Sequence, residues 1–173
     1  LVNAQGVEFP IEEGIPDLTW PKELAESDAE MKATYEWIAS EYEKFADIPF
    51  KTFGVSEEEV RRWITDHLEL KEGNTVIEVG GGDGRGAEFI SQDIGQDGEI
   101  YFQELSPAFL KKAKERLKNA RATIDYSIGN ASYLSFADNS FDAGHHFGGI
   151  NTFSDVERSL KELVRVVKPG GKI

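Results

Sequence analysis

The chain has 173 residues, of which 39% are hydrophobic and 29% charged, a composition typical of a folded globular protein. It contains no cysteine, no apolar run near the ~20 residues that cross a bilayer, and no visible signal peptide. We therefore expect a cytoplasmic protein without disulfides, membrane span or bound metal, and the formal charge of −13 disfavours nucleic acid as a partner.

One local run of basic residues opposes the acidic average. Such a run at helical spacing usually forms the solvated face of a helix, so RNA is disfavoured as a substrate but not eliminated. The run comprises Lys111, Lys112, Lys114, Arg116, Lys118 and Arg121.

The first part of the chain divides into two segments. Residues 1–22 are rich in proline and glycine and predict an extended lead-in with a short strand and a turn. Residues 23–72 predict a helical cap, because apolar residues recur there every three or four positions. Capping boxes at Ser27 and Ser56, each with glutamate three residues later, predict the starts of two helices.

Residues 73–173 alternate between strand and helix patterns. This alternation predicts a doubly wound, mostly parallel α/β sheet of the Rossmann-like type, flanked by helices. Lys168–Gly171 follows the last helix, and the chain ends at what we expect to be the threshold of a fifth strand. The fourth strand would then expose an unpaired edge, which favours a homo-oligomer or marginal stability. The four predicted strands cover residues 75–79, 99–103, 122–127 and 140–146.

A glycine-rich turn joins the first strand to its helix. Gly80, Gly82 and Gly84 allow positive φ angles and let a ligand approach bare backbone at the carboxyl end of the sheet. Their spacing differs from the G-x-G-x-x-G fingerprint of dinucleotide sites. Glu78 would oppose a pyrophosphate but favour an ammonium group, directly or through water.

A second acidic residue follows the second strand. Glu104 stands about 20 residues beyond the glycines, where a carboxylate can accept both ribose hydroxyls. Dinucleotide sites share this feature, so Glu104 indicates a nucleoside without choosing between cofactors.

Five landmarks in the correct order make residues 60–173 resemble class I, Rossmann-like S-adenosylmethionine-dependent methyltransferases, in particular the quinone- and sterol-methylating branch. The resemblance implies S-adenosylmethionine as the cofactor and a small-molecule methyl acceptor as the partner. The landmarks are Thr75–Ala87, Glu104-Leu105, Ile128–Ala131, residues 136–142 and residues 163–171.

The resemblance also implies roles for single residues. The three glycines would hold the methionine end, Glu104 and Leu105 the ribose side, and Asn130 with the Ala131 backbone N–H the adenine edge. Asn130 stands where the family usually has aspartate. Residues 1–22 resemble the end of a zinc-ribbon-like lead-in, but the metal-binding cysteines are absent, so no metal is expected.

Methyl transfer requires mainly alignment, and a base only where the acceptor must lose a proton. In the family, the segment after the fourth strand lines the pocket near the methyl group. Because neighbouring strand residues face opposite sides, only one of His145 and His146 should face the ligand, and we favour His146 as base or positioning group. A packing histidine is an equal alternative. Asn151 could orient the acceptor, and Tyr42 is the candidate lid contact.

The leading hypothesis is methyl transfer to a small molecule. The alternatives are a protein or RNA methyltransferase and a cofactor-binding module without methyl transfer. A nicotinamide-dependent oxidoreductase is disfavoured by the glycine spacing.

Overall fold

The computed structural model describes residues 1–3 and 5–173. The lead-in forms a small antiparallel hairpin of β1 (Ile11–Glu12) and β2 (Ile15–Pro16). Just beyond it, the Leu18 N–H donates to the Ile128 carbonyl at 2.8 Å, which ties the lead-in to the edge of the main sheet. Within the described residues, no helix is long and apolar enough to cross a membrane.

The helical cap contains three helices. The Ser56 hydroxyl accepts a hydrogen bond from the Glu59 N–H, which confirms the second capping box. The first capping box is wrong, because its helix begins before Ser27 and has no side-chain cap. The helices are α1 (Glu26–Ile38), α2 (Ile48–Thr52) and α3 (Glu57–Asp66), with a 3₁₀ turn at Tyr42–Lys44.

The rest of the chain is the predicted alternation of strands and helices. The five strands pair in parallel in the order β5-β4-β3-β6-β7, which confirms the doubly wound α/β fold. The elements are β3 (Thr75–Val79), α4 (Arg85–Ile94), β4 (Glu99–Glu104), α5 (Pro107–Arg116), β5 (Thr123–Ile128), β6 (Phe141–His145), α6 (Val156–Val166) and β7 (Val167–Lys172).

Two apolar clusters form the core around this sheet. Side chains alternate across a strand, so the neighbours Val76 and Ile77 on β3 belong to different clusters. Val76 packs with Ile90 and Ile77 with Val166, and all four side chains are fully buried. The strand order reverses direction at β3, so its carboxyl end lies at the topological switch point where such sheets bind ligands.

The expectation that the fourth strand would have an unpaired edge is wrong. Val167–Lys172, which include the residues predicted to end the last helix, form β7 and pair with β6 at Phe141 and Ala143. An irregularity between these two positions and a positive φ at Gly170 accommodate Pro169 on this edge strand. The chain therefore contains a fifth strand, and the argument for association through β6 no longer holds.

Candidate functional site

The glycine turn follows β3 as predicted and forms the floor of the site. Gly80 and Gly82 have φ angles of 60° and 58° and line a cavity, whereas Gly84 (φ 85°) precedes α4 and does not line it. Position 81 has no space for a side chain, because a Cβ added to Gly81 would lie 2.5 Å from Cζ of the fully buried Phe102. The turn thus exposes bare backbone to the cavity, with positive φ angles at Gly80 and Gly82 and no space for a Cβ at Gly81.

Glu104 ends β4 beside this turn. Its carboxylate is only 8% exposed and accepts hydrogen bonds from the N–H groups of Gly82 and Ser106, each at 2.9 Å. Burial raises the pKa of Glu104, although the backbone hydrogen bonds oppose that shift. Each carboxylate oxygen keeps a second acceptor site for a ligand hydroxyl. Leu105 lines the cavity next to it.

Glu78 lies on the central strand and also lines the cavity. It is 3% exposed, and its Oε1 lies 3.4 Å from Nδ1 of the equally buried His145. Its Oε2 has no hydrogen-bond partner among the described residues. A buried carboxylate oxygen without a partner is costly, so this atom fits a cationic ligand group such as an ammonium.

Asn130 and Ala131 follow β5 and line the same cavity. Both polar atoms of the Asn130 side chain form hydrogen bonds within the protein. Its Nδ2 donates to Asp28, and its Oδ1 accepts from the Ser132 N–H, each at 2.9 Å. The Ala131 N–H forms no hydrogen bond within the described part of the chain, so it is available to an adenine edge.

Asp28 is a residue that the sequence did not single out. It lies on α1, is 5% exposed, and accepts hydrogen bonds from Asn130 and from both the N–H and hydroxyl of Ser154. It therefore ties the helical cap to the loops that follow β5 and β6. Its only sequence signal is the acidic first turn of α1, which does not identify partners that far along the chain.

The two neighbouring histidines face opposite sides, with His146 lining the cavity. The His146 Nδ1–H donates to the Val79 carbonyl at 2.7 Å, and Nε2 accepts from the Gly149 N–H at 3.1 Å. These bonds require the neutral ring with the proton on Nδ1. Burial lowers the pKa of His146, which favours the same neutral form.

The other two candidate residues behave differently from one another. Tyr42 lines the cavity and packs edge-on against Phe109, with ring centroids 4.8 Å apart. Burial raises the pKa of Tyr42, assisted by Asp83. Asn151 is exposed and does not line the cavity, whereas its neighbours Thr152 and Phe153 do, so the structure does not bring Asn151 to the site.

An aromatic wall, defined as Phe50, Phe147 and Phe153, also lines the cavity. Phe50 and Phe147 stack with ring centroids 6.4 Å apart, and Phe153 packs on His146 at 4.7 Å. The cavity holds about 640 Å³, within the usual range for small-molecule sites. Sequence periodicity missed Phe50 because α2 is a five-residue helix without a recognisable period.

These features fit S-adenosylmethionine. The bare glycine backbone accommodates the amino-acid end, Glu78 offers an unpartnered oxygen to its ammonium, and Glu104 offers acceptors to ribose. A dinucleotide would bring a pyrophosphate near the Glu78 carboxylate, which electrostatics disfavours.

Comparison with solved structures supports the fold assignment. An S-adenosylmethionine-dependent methyltransferase from Aquifex aeolicus is 25% identical, with a TM-score of 0.57 over 63% of this chain and 58% of that chain.

Curated relatives give a closer match in sequence. The ubiquinone/menaquinone biosynthesis C-methyltransferase UbiE of Klebsiella pneumoniae is 30% identical over 86% of this chain and 59% of that protein. The enzyme of the same name from Hydrogenovibrio crunogenus is 27% identical over 87% of this chain and 59% of that protein. The chain thus spans about three fifths of the length of these relatives.

A family model matches residues 23–173, which is most of the chain, and confirms the S-adenosylmethionine-dependent methyltransferase assignment that the motifs predicted. The chain belongs to the ubiE/COQ5 methyltransferase family.

Proposed function

We propose that the protein transfers the methyl group of S-adenosylmethionine to a ring carbon of a small quinone-type acceptor. The observation that carries this proposal is a single cavity that joins the nucleoside-binding residues to the aromatic wall. The relatives named above are C-methyltransferases of quinone biosynthesis, which supports the acceptor class. The chain spans about three fifths of the length of these relatives, so their activity is brought to it only as a proposal.

The cofactor-binding role falls to residues from three neighbouring strands. Glu104 accepts hydrogen bonds from the ribose hydroxyls, and Glu78 accepts one from the ammonium group. The Ala131 N–H donates a hydrogen bond to the adenine edge. Asn130 acts mainly by shaping the loop, since its amide is already engaged by Asp28 and Ser132.

When bound, S-adenosylmethionine supplies a methyl group on a good leaving group. The protein's own contribution is alignment, which can lower a barrier by about 7–11 kcal/mol. Phe50, Phe147 and Phe153 offer flat apolar surfaces that hold a planar ring and exclude water from it.

We infer that His146 positions the loop that follows β6, through its contact with Gly149, instead of acting as a base. Both of its ring nitrogens form hydrogen bonds with backbone groups. The hydrogen bond from the Gly149 N–H to Nε2 would have to break before Nε2 could take a proton. Tyr42, whose raised pKa keeps its hydroxyl protonated, can donate to an acceptor oxygen. Cytoplasmic location, homo-oligomer formation and the absence of a nucleic-acid partner stay predictions.

The test is turnover with methyl-deuterated S-adenosylmethionine and a panel of acceptors. The panel contains naphthohydroquinones, a histone-type peptide and a short RNA, and mass spectrometry locates the label. The proposal predicts label on a ring carbon of the hydroquinones, with the ring hydrogen lost as a proton. Label on the peptide or RNA alone would contradict it, as would cofactor binding without transfer to any small acceptor.

A further inference from the structure

Three arginines beside the cavity share the carboxylates of Glu57 and Asp83, whose side chains are 13% and 5% exposed. Arg85 donates to Glu57 at 2.6 Å and to Asp83 at 2.9 Å. Arg116 donates to the Asp83 carboxylate at 3.1 Å and to its backbone carbonyl at 2.9 Å, while Arg61 donates to Glu57 at 2.7 Å. We call Arg61, Arg85 and Arg116 the arginine cluster.

Positive charge in this cluster is least compensated at Arg61. Arg116 also lies near Glu43 and Glu88, at 3.4 and 3.9 Å, and Arg85 has both Glu57 and Asp83 as partners. Among the described residues Arg61 pairs with Glu57 alone, and Arg85 shares that carboxylate. Arg61 is therefore the member of the arginine cluster with the fewest carboxylate partners.

Arg61 also reaches the cavity. Its side chain is 14% exposed and lines the cavity, and its guanidinium carbon lies 4.6 Å from the centroid of Phe147 in the aromatic wall. The bond to Glu57 uses Nε, and within the described part of the chain the guanidinium makes no other hydrogen bond. The terminal nitrogens therefore remain available, and they carry the fork geometry that binds oxyanions.

We propose that Arg61 binds an oxyanion inside the cavity. The proposal rests on the proposed function, because it concerns the same site. The Arg61 guanidinium is largely removed from water and shares its carboxylate partner Glu57 with Arg85, so a second anion would compensate its charge. The required chemistry is a carboxylate or an ionised hydroxyl. The methyl donor carries the first as its amino-acid carboxylate, and an aromatic acceptor would carry the second.

Two ligand pairs distinguish these sources. The first pair is S-adenosylhomocysteine and its decarboxylated analogue, which keeps the ammonium but lacks the carboxylate. The second pair is 2-hydroxy-1,4-naphthoquinone, an anion near neutral pH, and its uncharged methyl ether. Calorimetry gives the affinity ratio within each pair for the unmodified chain, Arg61→Gln and Arg61→Lys.

The matched control is Arg62→Gln. Arg62 lies on the same helix, pairs with Asp66 and Asp93, and does not line the cavity. Melting curves show which variants are folded, and Arg61→Lys keeps the charge beside Glu57 if Arg61→Gln does not fold.

The unmodified chain should prefer the anionic member of one pair by about tenfold or more, as expected for a charge-assisted fork. Arg61→Gln should bring that ratio close to one, Arg61→Lys should reduce it in part, and Arg62→Gln should leave it unchanged. Loss of preference in the first pair assigns the oxyanion to the methyl donor, and loss in the second assigns it to the acceptor. Ratios that Arg61→Gln leaves unchanged in both pairs would overturn the proposal, whereas failure of the unmodified chain to bind S-adenosylhomocysteine would overturn the proposed function instead.

Discussion

Single buried polar groups define the chemistry of this site. Glu78, Glu104 and Asp28 are carboxylates with almost no exposed surface, and each has a different set of partners. Asp28 accepts three hydrogen bonds from protein donors, Glu104 accepts two from backbone N–H groups, and Glu78 has one oxygen without a hydrogen-bond partner among the described residues. This gradation separates structural carboxylates from those that can receive a ligand.

Replacing Glu104 with glutamine tests its dual role. The amide group cannot accept from both Gly82 and Ser106, and it removes the charge that would bind the ribose. Hydrogen bonds to charged groups contribute about 1.5–3 kcal/mol, so calorimetry should show at least about tenfold weaker binding of S-adenosylhomocysteine. Glu99→Gln, at the exposed start of the same strand, is the control and should bind as the unmodified chain does. Equal affinities for the two variants would contradict the assignment.

His146 should make stability depend on pH. Burial lowers the pKa of His146 in the folded chain below its ordinary value of 6.5. As the pH falls through that value, the unfolded chain takes up a proton that the folded chain refuses, so this contribution to stability is full above pH 6.5 and lost below it.

The measurement is urea unfolding at about pH 7.5 and about pH 5.5, which spans the ordinary histidine pKa. From the higher to the lower pH, the free energy of unfolding should fall more for the unmodified chain than for His146→Gln. The exposed His67 provides the control, because His67→Gln should follow the unmodified chain. The assignment fails if His146→Gln shows the same pH dependence as the unmodified chain.

At the scale of elements, the turn between β3 and α4 depends on its contact with β4. Gly81→Ala would place a methyl group against the ring of Phe102, which is fully buried and cannot move aside. Overpacking of this kind costs about 1–3 kcal/mol. We expect a loss of that size in urea unfolding, accompanied by weaker cofactor binding.

Gly149→Ala is the matched control for this substitution. The nearest atom to its added Cβ lies at 3.4 Å, and its φ of −125° suits any residue. It should cost clearly less stability than Gly81→Ala. Similar losses would show that the Phe102 contact is not the cause.

Helix α1 is attached to the core by two carboxylates. Asp28 accepts from Asn130 and Ser154, while Glu36 accepts from Ser106 at 2.5 Å and Ala108 at 3.1 Å. These bonds lie at opposite ends of the helix and at two different loops of the site. The helical cap is therefore coupled to the cavity that it covers.

Asp28→Ala tests this coupling. The change removes the acceptor of the buried Asn130 amide and of Ser154, and an unpaired buried donor costs about 1–3 kcal/mol. Urea unfolding should show that loss, and hydrogen exchange should show faster opening of α1. Glu30→Ala, an exposed position on the same helix, should leave both measurements unchanged. Unaltered exchange in α1 of Asp28→Ala would contradict the role of this carboxylate.

For the whole molecule, the sequence predicted what depends on local pattern. Thr75–Val79 is a β-branched run that ends in glycines, so both strand and turn were identified with correct bounds. Ser106 with Pro107 likewise predicts the start of α5, which the structure confirms with a hydrogen bond from the Phe109 N–H. In these cases the local signal and the tertiary structure agree.

Long-range pairing could not be predicted in the same way. Lys168–Gly171 lacks strand propensity and becomes a strand only because β6 offers it a hydrogen-bonding edge. The bond between Asp28 and Asn130 joins residues 102 positions apart, and Arg61 reaches the cavity only because α3 packs beside the glycine turn. Such contacts are fixed by the assembled fold and leave no periodic trace in the sequence.

The central claim is that an S-adenosyl nucleoside lies across the glycine turn with its ribose at Glu104. Calorimetric titration of the folded chain with S-adenosylhomocysteine, and separately with NAD, tests it most directly. We predict saturable one-to-one binding of S-adenosylhomocysteine and none of NAD. Binding of NAD in its place, or no binding of S-adenosylhomocysteine by a chain shown to be folded, would contradict the account.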